Sequence, residues 1–222
     1  MAPFDPSDDL FLEWIHGWAL TRGVAPPTPH ADGFRIAVGL PEQAARYVFP
    51  GPSTTIVELG ATLTQPWVFI KAFATSAQLR ALLPDTWRLE DLHTMMTCDA
   101  RRFAGDGRVP DGYRLEVDDA TAATRQAHVR IVAADGTLAA SGHIALGTRL
   151  AIYDRILTEP AHQRRGLASA LMHALQALAH DAGRHAGVLV ATDAGRALYE
   201  TLGWRLHSPW AGAVIPGPPA AG

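Results

Sequence analysis

Residues 163–168 read Gln-Arg-Arg-Gly-Leu-Ala. They follow a stretch patterned as a strand over 150–158 and open a stretch patterned as a long amphipathic helix over 164–182. A short glycine turn between strand and helix aims successive backbone N–H groups into one concavity, and the helix N-terminus adds the positive end of its dipole. The chemistry this suits is the holding of a pyrophosphate. Gly166 has no Cβ and lets the backbone come close to a phosphate. Ala168 is small enough for the first helical turn to pack on the strand. Arg164 and Arg165 add positive charge beside the anion. The candidate cradle is therefore Gln163, Arg164, Arg165, Gly166, Leu167, Ala168 and Ser169; an ordinary strand-to-helix turn with solvated arginines is the competing reading.

A second segment adds weight. Residues 186–204 read as a buried strand, a short helix carrying Tyr199, and a Leu-Gly-Trp exit at 202–204. Over about 126–208 the chain resembles the GCN5-related N-acetyltransferases (the GNAT superfamily). Their signature (Arg/Gln)-x-x-Gly-x-(Gly/Ala) is matched by Gln163, Gly166 and Ala168. Their second signature, Asn-x-x-Ala-x-x-Leu-Tyr-x-x-x-Gly-(Phe/Trp), is matched from Thr192 through Ala197-Leu198-Tyr199 to Gly203-Trp204, with Thr192 standing where the family often has Asn.

The resemblance implies an α/β (α+β) fold: a mixed, largely antiparallel central sheet flanked by helices. It implies acetyl-CoA as co-substrate, with the backbone of Ile156, Leu157 and Thr158 bonding its pantetheine arm and Thr192 adding a contact. It implies Tyr199 as the general acid for the departing thiolate. Direct transfer of an acyl group to a primary amine also needs a base and an oxyanion donor. Asp154 and Glu159 are the carboxylates near the turn, and His162 directly precedes it; the sequence leaves the base open among them. In a regular strand residues 154, 156 and 158 share one face, so Asp154 points away from Tyr153 and Arg155. A non-catalytic acyl-CoA-binding sensor or interaction module is the alternative to an N-acyltransferase. There is no Gly-Lys-(Ser/Thr) for a P-loop and no Gly-x-Gly-x-x-Gly for a dinucleotide fold.

The surrounding pattern supplies the elements that hold these residues. A helix is expected from a cap at Asp5-Pro6, with Leu10, Phe11, Trp14, Ile15, Trp18 and Ala19 on one face, ending near Gly23. It would help wall the acceptor site. Residues 24–33 read as a connector, 34–39 as a strand, and a short helix is expected after Pro41. A strand over 67–73, a helix over Ser76–Leu83 capped by Thr75 or Ser76, and Trp87-Arg88-Leu89 parallel the later strand, Thr-Asp-Ala, helix and Trp-Arg-Leu of 188–206. Both helices carry Arg-Ala-Leu. The N-terminal half is therefore read as a degenerate copy that lost the glycine turn. Residues 98–111 read as a loop. Ala134-Asp135-Gly136 between alternating runs predicts a hairpin, and Gly183 suits the helix end after 182. The expected division is 1–97 (an N-terminal α/β region), 98–210 (the transferase domain) and 211–222 (a flexible tail).

The chain has 222 residues, 48% hydrophobic and 18% charged, ample for a sizeable core. Its formal net charge of −3 speaks against a partner bound through phosphate neutralisation, so no nucleic acid is expected. The single cysteine, Cys98, allows no intrachain disulfide and no cysteine metal cluster, and its Met-Met-Thr-Cys setting reads as packed rather than reactive. No metal is expected. No basic segment followed by an apolar run predicts a secretory signal, and no apolar run predicts a membrane span, so a cytoplasmic protein is the expectation. The partners expected are an acyl-CoA and an amine acceptor; the acceptor's identity and the oligomeric state have no motif to declare them.

Overall fold

The computed structural model describes residues 9–99, 103–118 and 124–217. The expected cap at Asp5-Pro6 lies outside them. Helix α1 runs Asp9–Arg22. Phe11, Trp14, Ile15, Trp18 and Ala19, recurring at helical spacing, are all buried. The helix stops at Gly23, whose φ of 64° lets its N–H and that of Val24 fold back onto Leu20 and Ala19.

Strands β1 (Thr28–His30), β2 (Gly33–Leu40) and β3 (Gln43–Phe49) follow, then α2 (Thr54–Thr62), β4 (Val68–Ala72), α3 (Ser76–Leu82), β5 (Arg88–Leu89) and β6 (His93–Asp99). The remainder is β7 (Tyr113–Asp118), β8 (Gln126–Ala133), β9 (Leu138–Leu146), β10 (Leu150–Thr158), a 3-10 turn (Pro160–His162), α4 (Leu167–Asp181), β11 (Ala186–Ala191), α5 (Asp193–Thr201) and β12 (Arg205–Val214). The twelve strands form one mixed, largely antiparallel sheet in the order β1-β2-β3-β4-β12-β6-β11-β10-β9-β8-β7, with β5 on β12. This is the expected α/β class.

The order reads alike from its middle outward in both directions. β12 lies antiparallel to β4 as β6 lies antiparallel to β11; β4 is parallel to β3 as β11 is to β10; β3 and β10 are each antiparallel to their outer neighbours. α2 joins the first parallel pair and α4 the second; α3 and α5 follow. The pseudo-repeat seen in the sequence is thus present in the topology. Each half also lends its last strand: β6 sits beside β11, and β12 returns to β4. Three buried clusters hold the whole. One packs α4 and α5 on the C-terminal half of the sheet; another packs Trp87 with α2 and α3 on the N-terminal half. The third joins α1 to residues of both halves, Ile36, Val48 and Phe73 with Ile152, Val188 and Trp210.

Several expectations change. No helix follows Pro41: residues 41–42 turn a hairpin between β2 and β3, where Gly39 at φ 72° and the aromatic, β-branched run Tyr47-Val48-Phe49 favour strand. The connector 24–33 holds β1. Helix α2 has a weak sequence signature because it is rich in Thr, Ile, Val and Gly. It forms because Ser53 caps it and Ile56 and Leu59 are buried. Met95 and Met96 are fully buried in β6, so Cys98 and Asp99 of the expected loop are strand and the expected division between 97 and 98 falls inside a strand. Residues 211–214, expected as flexible tail, complete β12, where Ala211, Ala213 and Val214 are buried against β4; 218–222 lie outside the described residues.

Candidate active site

β10 and β11 share three registered pairs, Leu150, Ala151 and Ile152 with Ala186, Gly187 and Val188, and then part. On its other side β10 slips against β9 between Asp154 and Leu157, and Arg155 takes φ 54°. Arg155 and Ile156 consequently have a ladder partner on neither side among the described residues. The bulge redirects the strand, as bulges do, and overrides the simple alternation expected for 154, 156 and 158. Two cavities open along the parted strands, of about 390 and 480 Å³, and Ile156 and Tyr199 line both.

The larger cavity is floored by the glycine turn. Arg164 at φ 58° and Gly166 at φ 80° turn the chain so that Leu167 begins α4 with no side-chain cap. The first helical bond runs from Ala170 N–H to Gly166 O at 3.1 Å, leaving the amides of Leu167, Ala168 and Ser169 without partners among the described residues at the cavity wall. A Cβ built on Gly166 would meet nothing within 4 Å, so the space before the helix is open. Thr158 Oγ1, also on this wall, is buried with no partner among the described residues. Free amides, an orphan hydroxyl and an open cradle are what a diphosphate with a polar arm requires, so the residues present fit coenzyme A.

The structure gathers Ile156, Leu157, Thr158, Gln163, Arg164, Gly166, Leu167, Ala168 and Ser169 around this cavity. Gln163 Nε2 donates to Thr158 O at 3.2 Å and ties the turn to the strand. Other expected residues stand elsewhere. Arg165 donates to Tyr113 Oη at 2.9 Å and to Ala161 O at 3.0 Å, bracing the turn from behind. Glu159 lines neither cavity; it precedes the 3-10 turn, and its N–H bonds Ala139 O at 2.9 Å. Thr192 caps α5 by accepting from Gly195 N–H at 3.2 Å and lines the smaller cavity, not the larger. His162 is bonded to Tyr113 Oη at 3.1 Å, away from both.

Tyr199 is the buried residue at the junction. Its ring rests where only a glycine fits comfortably beneath it: a Cβ on Gly195 would stand 3.1 Å from Tyr199 Cε2. Its hydroxyl has no hydrogen-bond partner among the described residues. Burial first, and the Asp154 carboxylate second, push the phenol up to about 12, so it keeps its proton at neutral pH. Tyr153, by contrast, spends its hydroxyl on Gln176 Oε1 at 2.6 Å.

The smaller cavity draws on both halves. α1 contributes Trp14 and Arg22, β3 Arg46, β4 Lys71, β6 His93, β12 Trp210, and Glu90 follows β5. Asp154 is held by Arg22 at 2.6 and 2.9 Å and by Thr21 Oγ1 at 2.9 Å. Burial raises its pKa, but the Arg22 and Thr21 bonds outweigh this and hold the carboxyl below its usual range. Lys71 is bonded to Glu90, and burial still lowers its pKa. His93 makes no side-chain hydrogen bond to the described residues. None of Arg22, Arg46, Lys71, Glu90 and His93 stands out in the sequence; buried charge within otherwise apolar strands, as at Lys71 in Val-Phe-Ile-Lys-Ala, was the available signal. Cys98 is buried, its thiol pushed up to about 11 by burial, in keeping with the packed reading. No described helix is long and apolar enough to cross a membrane.

Residues 113–211 match the family model of the acetyltransferase (GNAT) domain. No curated protein matches the chain by sequence. Among solved structures, a GCN5-related N-acetyltransferase from Kribbella flavida superposes with a TM-score of 0.65 at 14% identity, over 90% of this chain and 93% of that one. One from Sphaerobacter thermophilus gives 0.59 at 12%, over 84% and 78%. A tandem GNAT protein from the clavulanic acid biosynthesis pathway gives 0.54 at 16%, over 80% and 76%. At these identities the likeness is one of fold, and its reach over most of the chain, both halves included, agrees with the doubled topology.

Proposed function

We propose that this chain, a GNAT-family protein through the acetyltransferase domain of its residues 113–211, is an N-acyltransferase that moves an acetyl group from acetyl-CoA to a primary amine. The observation that carries the proposal is Tyr199: a buried, protonated phenol without a partner among the described residues, where the two cavities meet. The larger cavity is the donor site. The amides of Leu167, Ala168 and Ser169 take the diphosphate, with Arg164 beside it, and the free edge of β10 from Ile156 to Thr158 takes the arm as an added strand would. The smaller cavity is the acceptor site.

In the transfer, the amine nitrogen attacks the thioester carbonyl carbon, the carbon–sulfur bond breaks, and Tyr199 gives its proton to the sulfur. A backbone N–H of the bulge at Ile156 stabilises the oxyanion. The amine's own proton goes to His93, the imidazole in the acceptor cavity with a free ring nitrogen, and from there to solvent. Asp154 is a poor base because Arg22 and Thr21 occupy its oxygens; it positions Arg22 in the acceptor wall. Glu159 has no part in this scheme. The free phenol favours turnover over a purely sensory role.

Release of thiol from acetyl-CoA in the presence of a panel of primary amines tests the reading. Tyr199→Phe is expected to lower kcat roughly a hundredfold while leaving the affinity for coenzyme A unchanged. Full activity in that variant would remove Tyr199 from the acid role. Tight binding of acetyl-CoA with no acceptor turned over would mark the chain as a sensor.

A further inference from the structure

The acceptor cavity carries more positive charge than its own carboxylates neutralise. Two of its cations are matched: Arg22 by Asp154, in a two-pronged pair, and Lys71 by Glu90. Arg46 is not. With the Gln43 amide oxygen turned toward it, Arg46 Nε and Nη2 donate to that neutral oxygen at 2.7 and 2.6 Å. Its guanidinium lies 4.3 Å from the Trp18 ring centre and 5.8 Å from that of Phe69. No carboxylate among the described residues forms an ion pair with it. Arg155 adds a second unmatched cation to the lining, but an exposed one that water screens. A guanidinium sunk among aromatic rings without an ion pair of its own is costly; burial first, then Arg22, lower the Arg46 pKa to about 10, and Glu90 and Asp154, each paired to another cation, oppose this only in part. Arg46 lines the same cavity as Tyr199, which gives that cost a use: a planar fork with an unspent edge is suited to a carboxylate.

We infer that the acceptor is a small amino acid-like molecule, a primary amine bearing one carboxylate, and that Arg46 of the N-terminal half binds that carboxylate while the amine faces Tyr199. The cavity's volume of about 390 Å³ suits a small molecule. The inference rests on the acceptor-site reading given under the proposed function. It makes the N-terminal half useful in its own right, since the copy without a donor cleft then selects the acceptor for the copy that has one.

The experiment compares amino acids with their decarboxylated amines, phenylalanine with phenethylamine and alanine with ethylamine, in the thiol-release assay. For the wild-type chain kcat/KM is expected to be at least tenfold higher for the carboxylate-bearing member of the preferred pair. Arg46→Met is expected to abolish that preference by raising KM at least tenfold for the carboxylate-bearing amine while changing kcat far less; Arg46→Lys is expected to restore part of it. Calorimetric binding of the preferred amino acid to the coenzyme A complex gives a readout free of turnover. Binding that needs Arg46 but leads to no transfer would sustain this inference and overturn the transferase. Transfer to amines with and without a carboxylate alike, equally affected by Arg46→Met, would overturn this inference and sustain the transferase. Preference for a phosphate-bearing amine, phosphoethanolamine being the probe, would also overturn it.

Discussion

In the C-terminal half β10 and β11 hold three registered pairs and then diverge; in the N-terminal half β3 and β4 hold five, from Ala45–Val68 to Phe49–Ala72, and stay together to the end of β3. The helix that follows differs in the same sense. Ser53 caps α2 with its own side chain, accepting from Ile56 N–H at 3.4 Å, whereas α4 starts from a left-handed glycine and keeps its first amides free. Aligned on their shared Arg-Ala-Leu, α3 brings Leu83 to the place where α5 brings Tyr199, and Leu83 is buried in the apolar cluster. One plan has thus been finished in two ways. Where ladder, cap and core are complete no cleft opens beside the helix; where the ladder is cut short, the cap withheld and a phenol left unpaired among the described residues, one does. On the proposed reading the incomplete half holds the donor, because each missing internal contact is available to a ligand, while the completed half lends Arg46 and Lys71 to the smaller cavity.

The strongest way to break this comparison is to substitute the glycine that precedes each helix. Gly166→Val forces a branched residue into φ 80° and fills the open space before α4. We expect coenzyme A affinity, measured by calorimetry, to fall roughly a hundredfold through lost helix-start contacts. Gly51→Val, before α2, has open space and no left-handed requirement, and is expected to leave that affinity unchanged.

The two ion pairs that flank the smaller cavity should also respond unequally. Asp154→Asn leaves Arg22 charged beside Arg46, since arginine does not shed its proton; the expected loss of folding stability in urea is about 2–4 kcal/mol. Glu90→Gln should cost less, about 1–2 kcal/mol, although Lys71 is more buried than Arg22, because a lysine already lowered in pKa can become neutral. The Asp154 contribution is expected to be complete above about pH 4, its unfolded value, and to vanish as pH falls through its lower folded value, the sign that follows from a depressed carboxyl.

A smaller effect belongs to β9. His143 stacks on His128 at 4.1 Å, and burial first, then His128 and Arg155, hold its pKa down to about 4. Folded His143 is neutral where the unfolded imidazole, near about 6.5, takes a proton. Stability should therefore be full above about pH 6.5 and decline by about 1–2 kcal/mol as pH falls toward 4. His143→Gln should flatten that slope, as read by urea midpoints across the range.

The sequence was most readable where the chemistry is local. The turn Gln163–Ala168 and the helix bearing Tyr199 each lie within one strand–helix step, and glycine, charge and helical spacing mark them. The hairpin at Asp135-Gly136 and the repeat between 68–89 and 188–206 are local in the same sense. The wall of the smaller cavity is not. Arg22 meets Asp154 across 132 positions, and Lys71 meets Glu90 only because the last strand, β12, pairs with both β4 and β5. The exchange of strands between the halves also explains why 98–111 read as a boundary. β6 is a buried strand whose pattern belongs to the other half's sheet, and 211–214 look like tail because Gly and Ala pack against β4 without large side chains. The bulge at Arg155 has no residue signature at all, and it decides which residues face the cleft.

Hydrogen–deuterium exchange with and without saturating coenzyme A tests the central claim most directly, because it reads both halves in one experiment. Protection is expected at the amides of Ile156–Thr158 and Leu167–Ser169, with β3 and the start of α2 unchanged. Protection appearing on β3 and α2 instead, or no change around the start of α4, would contradict the assignment of the open cleft as the donor site.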